Sequence, residues 1–238
     1  MQTYEFNYNE YKKKSKRGKS HSLLIIAILI IVLISMCIFL NPTNATNKYY
    51  FVRINTYLTY KEANNAATEL HSRSAGGYIH FDGRYHVLAS FYPSKAEAEA
   101  VLSNISHLYP HADIYTLEAR SLDRSTNDII LDVVACQIDT ISSIYKLILE
   151  LDQGQISAGQ VNSTIKHISS HFSSKQADFV SFHKTTKKPN IINCANILDN
   201  ISNSLENIST ITPQPNLYQY KYELMNIIFN HLSFLDSL

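Results

Sequence analysis

A pattern that occurs twice along the chain is the feature that most constrains its fold. Valine, tyrosine, a hydroxyl residue and alanine recur in the same order, each pair 35 positions apart (87 − 52). The pairs are Val52 and Val87, Tyr57 and Tyr92, Thr59 and Ser94, and Ala63 and Ala98. Two copies are too few for a solenoid, in which stacked repeats share a continuous core. We therefore predict a small domain built from two similar halves.

Each half predicts a strand followed by a helix. Apolar and polar residues alternate around Val52 and again around Val87, in stretches rich in β-branched and aromatic side chains, which is typical of strands. Thr59 and Ser94 then stand where a side-chain oxygen can accept from a free backbone N–H of a first helical turn. Apolar residues at helical spacing follow each cap. They are Ala63, Ala66, Ala67 and Leu70, then Ala98, Val101, Leu102 and Ile105.

Turn signals add two further strands. Residues 78–81 predict a strand, and Asp82-Gly83 predicts a two-residue hairpin turn into the strand at residues 84–91. A last strand is expected at residues 112–117. The order β-α-β-β-α-β is typical of an α+β domain with both helices on one face of a four-stranded antiparallel sheet. We expect the other face to be open and to act as a binding surface.

At this point the chain resembles the SPOR domain family. The two halves of that family read roughly Val-Gln-Val-Gly-Ala-Phe-Ser-Ser-x-x-x-Ala and Tyr-Arg-Val-x-Val-Gly-Pro-Phe-x-Ser-x-x-x-Ala. Residues 52–63 and 85–98 correspond to them without gaps, and the resemblance covers residues 48–118. It implies binding to septal peptidoglycan, with a preference for glycan strands from which the stem peptides have been removed.

The candidate glycan-binding residues are those expected on the open face. Strand alternation places Arg53, Asn55, Tyr78, His80, His86 and Ser90 there. The resemblance adds Thr56 at the strand end and Ile114 on the last strand. The chain departs from the family pattern at positions 53, 55, 86 and 90, where polar groups persist with a different set of donors and acceptors. The alternative is that the open face binds protein within a membrane complex.

An apolar segment precedes this domain. Residues 23–40 contain no charge and, at ~1.5 Å per residue, roughly span a hydrocarbon core. A cleaved signal peptide is the competing interpretation, but its apolar region is usually shorter. Six basic residues lie between positions 12 and 19, which predicts a cytoplasmic N-terminus and extracytoplasmic C-terminal domains. We expect a basic tail at 1–21, a transmembrane helix at 22–40 and a linker at 41–47.

A second, all-α domain is predicted at residues 123–238. Apolar residues recur there every three or four positions in four stretches, and turn signals at 152–154, 185–189 and 213–215 separate them. Four amphipathic helices with modest connections favour an up-and-down bundle. Its outer faces are rich in Ser, Asn and Gln, so the bundle is a candidate surface for a protein partner.

The residues indicate a binding protein rather than an enzyme. His167 and His171 stand four positions apart, but Ile168 takes the place of the glutamate of a zinc-protease helix, so we expect neither a metal site nor a cofactor. Cys136 and Cys194 could form a disulfide outside the cytoplasm, but both lie on or beside apolar stripes, which favours buried free thiols.

Charge and layout complete the expectation. The net charge of +1 gives no overall field that would attract a polyanion, so nucleic acid is not an expected partner. A cytoplasmic tail, single anchor, SPOR-like domain and helical segment form a layout similar to that of bacterial cell-division and sporulation proteins. The expected partners are peptidoglycan glycan strands, the membrane and a protein bound by the helical domain.

Overall fold

The computed structural model describes residues 48–122, 126–184, 188–211 and 217–238. The residues described here form one compact unit. The predicted tail, transmembrane helix and linker, residues 1–47, lie outside the described residues. Within the described ranges, no helix combines the length and the apolar character needed to cross a membrane.

The first part of the compact unit is a four-stranded antiparallel sheet with two helices. Its strands and helices follow the order β-α-β-β-α-β, which confirms the predicted α+β class and strand count. The elements are β1 (Lys48–Tyr57), α1 (Tyr60–Ser72), β2 (Tyr78–Phe81), β3 (Tyr85–Tyr92), α2 (Lys95–Ile105) and β4 (Asp113–Glu118). In space the strands lie in the order β2-β3-β1-β4, so the two halves of the sequence repeat contribute the two central strands.

The predicted helix caps are confirmed. The Thr59 side chain accepts from the backbone N–H of Glu62 at 3.3 Å, and that of Ser94 accepts from Glu97 at 3.2 Å. The predicted hairpin turn is longer than expected, because three residues, 82–84, connect β2 to β3. Gly83 adopts a φ of 107° there, a backbone conformation that favours glycine.

The helices α1 and α2 cover one face of the sheet through small side chains. The buried residues of this layer are Val52, Ile54, Ala63, Ala67, Leu70, Val87, Ala89 and Ala98, and we call them the helix-side core. Half of them are alanines, which let the helices lie close to the strands. Val52 and Val87, the equivalent valines of the repeat, are both fully buried, as the strand alternation predicts.

Four long helices follow the sheet. They are α3 (Asp128–Asp152), α4 (Ala158–His183), α5 (Pro189–Thr210) and α6 (Leu217–Ser237). Consecutive helices pack against each other, and α3 also packs against α6, which closes the bundle. Ser157 caps α4 through a reciprocal pair of hydrogen bonds with Gln160. Phe182 lies on the predicted apolar stripe of α4 but is half exposed.

The second face of the sheet is covered by the bundle, which corrects the expectation of an open face. Helix α6 packs on β2 and β3. The ring of Phe229 lies 5.4 Å from that of Phe51 and 4.9 Å from that of Tyr78, measured between centroids. The backbone approaches closely as well, because a β-carbon at Gly76 would clash with Met225.

Sheet and bundle therefore share one core, which we call the bundle-side core. Its sheet residues are Tyr49, Phe51, Leu88 and Phe91, and they are continuous with the apolar interior of the four helices. A sequence signal for this burial exists: the start of β1 and the middle of β3 are apolar at consecutive positions rather than alternate ones. Strands with this pattern are buried on both faces.

Candidate binding site at the end of the sheet

Two irregularities in strand pairing shape the candidate site. Val52 pairs with Ser90, whereas Arg53 pairs with Leu88, so β3 has one residue more than β1 here. A second irregularity follows between Arg53 and Asn55. An extra residue in one strand shifts the face on which the following side chains lie. Strict alternation therefore cannot place every residue of this region.

Arg53 forms the centre of a polar cluster at the end of the sheet that the bundle leaves accessible. Its guanidinium is bidentate on Asp113 of β4, with Nε donating to Oδ1 at 2.8 Å and Nη2 to Oδ2. Its Nη1 also lies 3.0 Å from Nδ1 of His86. The Arg53 side chain keeps 21% of its surface exposed and Asp113 keeps 49%, so both can be reached by a ligand.

His86 is held by partners on both ring nitrogens. Arginine can only donate, so Nδ1 of His86 accepts, and the ring proton lies on Nε2. That nitrogen donates to Asp82 Oδ1 at 2.6 Å, while Thr56 Oγ1 is 3.0 Å from Nδ1. His86 is only 6% exposed. This burial corrects the expectation that His86 lies on an exposed face.

Asp82 and Tyr115 complete the cluster. The Tyr115 hydroxyl donates to Asp82 Oδ2 at 3.0 Å, and the Arg53 guanidinium carbon lies 5.1 Å from the Tyr115 ring centroid. The hydrogen bond from His86 lowers the pKa of Asp82. Burial, followed by the bond to Asp82, raises the pKa of Tyr115 to about 12. The cluster is therefore a carboxylate and guanidinium network beside an aromatic ring.

Two predicted binding residues lie beneath α6 instead of facing solvent. The ring of His80 is 4.4 Å from Phe229 and 6.2 Å from His86. Burial, mainly, lowers the pKa of His80. Tyr78 lies between Phe229 and Tyr222, and burial raises its pKa. Both residues are half-buried, so His80 borders the polar cluster while Tyr78 belongs mainly to the interface with α6.

Three other predicted residues take no part in the hydrogen bonds of the polar cluster. Asn55 uses its side-chain oxygen locally, accepting from the backbone N–H of Thr56 at 2.8 Å. Ser90 follows the irregularity in β3 and lines a small cavity with Tyr145 on α3. Ile114 pairs with Val52 and packs against the helix-side core, on the opposite face from Arg53.

The structure thus brings together Arg53, Thr56, His80 and His86 from the predicted set and adds three residues that sequence reasoning missed. The added residues are Asp82, Asp113 and Tyr115. The sequence predicts Asp82 in a turn, and nothing in the neighbouring sequence indicates that it bonds to His86. Asp113 lies opposite Arg53 in the register of β1 with β4, which the sequence alone does not fix.

An exposed apolar patch adjoins the polar cluster, and we call it the rim patch. Leu58 is 78% exposed, and Tyr60 and Phe81 are each 58% exposed. The ring of Tyr85 lies 5.9 Å from that of Tyr60 and 4.7 Å from that of Phe81, so the three aromatic residues are contiguous. Exposed apolar surface beside polar groups is typical of interaction sites.

The geometry of the polar cluster suits binding better than proton transfer. Thr56, His86 and Asp82 form a hydroxyl, imidazole and carboxylate chain of the kind that activates nucleophiles. Here, however, Arg53 donates to the same Nδ1 that would have to accept the proton of Thr56. The exposed carboxylate oxygens, and the N–H groups of Arg53 that are not bonded to Asp113 or His86, remain available as hydrogen-bonding groups for a ligand.

The two histidines and two cysteines that the sequence singled out do not form a shared site in the described ranges. His167 and His171 are exposed on α4. No group of three or more His, Cys, Asp or Glu side chains in the described ranges is arranged to hold a metal ion. Cys136 and Cys194 are free and buried, and burial raises the pKa of both thiols, that of Cys194 to about 11.

Comparison with known proteins gives no assignment. No family model matches the chain, and neither a curated protein nor a solved structure is found to be similar to it.

Proposed function

We propose that this protein is a membrane-anchored, non-enzymatic peptidoglycan-binding protein of the bacterial cell envelope. Its sheet binds glycan strands without stem peptides, and it acts in remodelling of the septum during cell division or sporulation. The layout is similar to that of stage II sporulation protein B of endospore-forming bacteria. The observation that carries the proposal is the polar cluster around Arg53, which stays accessible at the end of the sheet.

The chemistry of this cluster fits a carbohydrate. Denuded glycan is rich in hydroxyl groups and has weakly polar ring faces. Asp82 and Asp113 offer carboxylate oxygens that accept from hydroxyls, and Arg53 offers N–H groups that donate to them. The half-buried ring of Tyr115 lies beside these groups and provides apolar surface for a sugar ring.

The covering of the sheet by α6 limits where such a strand can lie. Leu88 and Phe51 are fully buried, so the centre of the face has no surface for a ligand. A glycan strand would therefore cross the sheet at the hairpin between β2 and β3, over Asp82 and Tyr115. This end of the sheet is far from the start of β1. Thr56, a residue of the polar cluster, lies eight residues along the strand from Lys48, which is roughly 25 Å.

The proposed topology places this site outside the cytoplasm. Residues 23–40 would span the membrane and the basic tail would remain in the cytoplasm. The protein would then be enriched at septa through the glycan it binds. Protease added to spheroplasts should remove residues after the anchor and leave a short protected fragment, whereas protection of the whole chain would contradict this topology.

The binding proposal is tested with the full-length protein and purified sacculi. Wild-type protein should sediment with amidase-treated sacculi more strongly than with intact sacculi. Arg53→Ala should weaken this binding roughly tenfold, because one unsatisfied hydrogen-bonding partner costs about 1 to 3 kcal/mol. Fold should persist, since Asp113 is half exposed and can be hydrated. A thermal melt of the variant checks this.

Arg73→Ala is the matched control. Arg73 is the exposed residue at the C-cap of α1, and it also pairs with a carboxylate, that of Glu69, at 2.8 Å. Its replacement removes the same charge and should leave sedimentation unchanged. Equal binding of wild type to both kinds of sacculi, or equal loss in the two variants, would contradict glycan recognition by the cluster.

A second candidate function is favoured by the rim patch. Its exposed Leu58, Tyr60 and Phe81 suit a protein partner better than a hydrated sugar chain. On this alternative the protein is an interaction subunit of a division or sporulation complex in the membrane. Leu58→Glu should then disperse a fluorescent fusion from the septum while sedimentation with sacculi is retained. Arg53→Ala should have the reverse pattern if glycan binding directs localisation.

A further inference from the structure

The two ring nitrogens of His86 have partners that respond differently to a proton. Nε2 donates to Asp82 Oδ1 at 2.6 Å, and a carboxylate accepts from the ring in either charge state. Nδ1 lies 3.0 Å from both Arg53 Nη1 and Thr56 Oγ1. A guanidinium can only donate, whereas a hydroxyl can donate or accept. The charge of the ring therefore decides which of these two groups Nδ1 can bond to.

Neutral His86 holds part of the Arg53 guanidinium. Its Nδ1 accepts from Nη1, while Nε and Nη2 of Arg53 bond to Asp113. Three of the five N–H groups of the arginine are then engaged, and the contact with His86 fixes Nη1 between β1 and β3. Both the number of free donors and the direction of the guanidinium are limited in this state.

A second ring proton must go to Nδ1, because Nε2 already carries one. Nδ1 then becomes a donor that faces the donor Nη1 of Arg53, and both groups are positive. Thr56 can turn its hydroxyl to accept from Nδ1 at the same distance of 3.0 Å. At Nε2, the bond to Asp82 becomes a bond between opposite charges and is strengthened. Protonation therefore keeps His86 in place and releases Nη1 of Arg53.

The rings that border His86 do not oppose this change. Tyr115 of β4 stacks on His86 with centroids 4.9 Å apart, and its pKa, raised to about 12, keeps its hydroxyl neutral. His80 of β2 lies 6.2 Å away, and burial, mainly, lowers its pKa, so it stays neutral to a lower pH than an ordinary histidine. Phe229 of α6 stacks on His80 in turn, with centroids 4.4 Å apart.

The two carboxylates of the cluster match the two cations that would then be present. The hydrogen bond from His86, above all, lowers the pKa of Asp82, so this carboxylate is ionised beside the ring. Asp113 keeps Arg53 attached to β4 through the bidentate pair when Nη1 leaves His86. Each cation therefore has a carboxylate of its own.

We propose that protonation of His86 regulates the polar cluster by releasing Arg53 for its ligand. Neutral His86 holds Nη1, and protonated His86 exchanges it for the Thr56 hydroxyl. Histidine is the side chain that ordinarily changes charge between about pH 5 and 8, so ligand binding should strengthen as the pH falls through this range. The effect on ligand binding rests on the proposed glycan recognition, whereas the exchange of partners at Nδ1 does not.

The exchange is measured without any ligand, by NMR on full-length protein with ¹⁵N-labelled histidine and arginine. The guanidinium signals of Arg53 should change with pH at the same midpoint as the imidazole signals of His86. In His86→Gln the Arg53 signals should no longer change between about pH 5 and 8. His80→Gln is the matched control and should retain the change. Arg53 signals that ignore the His86 titration, or that still change in His86→Gln, would overturn the proposal.

Thr56→Val tests the exchange with the buried ring left in place. Loss of the hydroxyl removes the acceptor of the Nδ1 proton, so the midpoint of the Arg53 change should move about one pH unit lower. Thr56→Ser retains the hydroxyl and should keep the wild-type midpoint. An unchanged or higher midpoint in Thr56→Val would overturn the exchange.

The regulation is measured by sedimentation of the full-length protein with amidase-treated sacculi. Wild type should bind at least about threefold more strongly at about pH 5.5 than at about pH 7.5, and His86→Gln should bind equally at both. Equal binding of wild type at the two pH values would overturn the regulation. Absence of binding at both would contradict glycan recognition alone, because the NMR titration detects the exchange at Nδ1 without glycan.

Discussion

The two faces of the sheet are built in different ways. The helix-side core is made by elements that are neighbours in sequence, and alanines allow α1 and α2 to pack closely on the strands. The bundle-side core joins β1 and β3 to the four-helix bundle, whose helix α6 lies more than a hundred positions later, through aromatic and branched side chains such as Phe51 and Leu88. The comparison shows that neighbouring segments of the chain bury one face of the sheet, whereas distant segments bury the other.

This difference changes how the molecule should unfold. If the bundle followed the sheet in sequence without packing against it, each part would have its own unfolding transition. Because Phe51, Leu88 and Phe229 form one continuous contact layer, loss of either part exposes apolar surface of the other. We therefore expect a single cooperative transition for residues 46–238, and the following predictions test that expectation from the largest effect to the smallest.

Val87→Asp places a charge in the helix-side core and should have the largest effect on stability. Val87 is fully buried, so an unpaired carboxylate there should cost about 5 kcal/mol and abolish the folded state of sheet and bundle together. Circular dichroism at 222 nm and intrinsic tyrosine fluorescence should both lose their cooperative melt. Leu58→Asp, at a residue that is 78% exposed, is the control and should melt like wild type. A helical transition that survives in Val87→Asp would show that the bundle folds independently.

Phe51→Ala removes a buried aromatic ring from the bundle-side core. Phe51 is fully buried and contacts Phe91 and Phe229, so the truncation should lower the free energy of unfolding by about 3 to 4 kcal/mol. The helical and tyrosine signals should still change together, at a lower temperature. Phe81→Ala, at an exposed residue, should have little effect. Separate unfolding transitions of the two signals in Phe51→Ala would contradict a core shared by sheet and bundle.

The smallest expected effect concerns a buried polar pair where sheet and bundle meet. His231 of α6 is fully buried, its Nδ1 lies 2.6 Å from Gln137 Oε1 of α3, and its ring lies 5.8 Å from that of Tyr49. Burial lowers the pKa of His231 from 6.5 to about 4. The unfolded chain therefore binds this proton more readily than the folded protein between these pH values.

The stabilisation due to neutral His231 is fully present above pH 6.5 and is lost as the pH falls towards 4. Its full size is about 3 kcal/mol, and most of it should be lost by pH 4.5. Chemical denaturation at pH 7.5 and 4.5 should give a smaller pH difference for His231→Gln than for wild type. His107→Gln, at an exposed histidine, should retain the wild-type difference. An unchanged pH difference in His231→Gln would contradict this assignment.

The candidate site shows where sequence reasoning reached its limit. Alternation correctly grouped Arg53, His80 and His86, because they lie on neighbouring strands on one face. It did not separate Ser90 from the cluster, because Ser90 lies beyond the irregularity in β3 and lines a cavity with Tyr145 of α3. It also missed Asp82, whose contact with His86 depends on the path of a three-residue loop.

What the sequence by itself determined about this protein is its local structure. The period-two and helical spacings, and the caps Thr59 and Ser94, are properties of short segments, and they led to the α+β class and to four antiparallel strands. Only the tertiary structure decided that α6 covers the second face and that Asp113 pairs with Arg53. Such contacts depend on how distant segments pack in three dimensions, and no local periodicity encodes that arrangement.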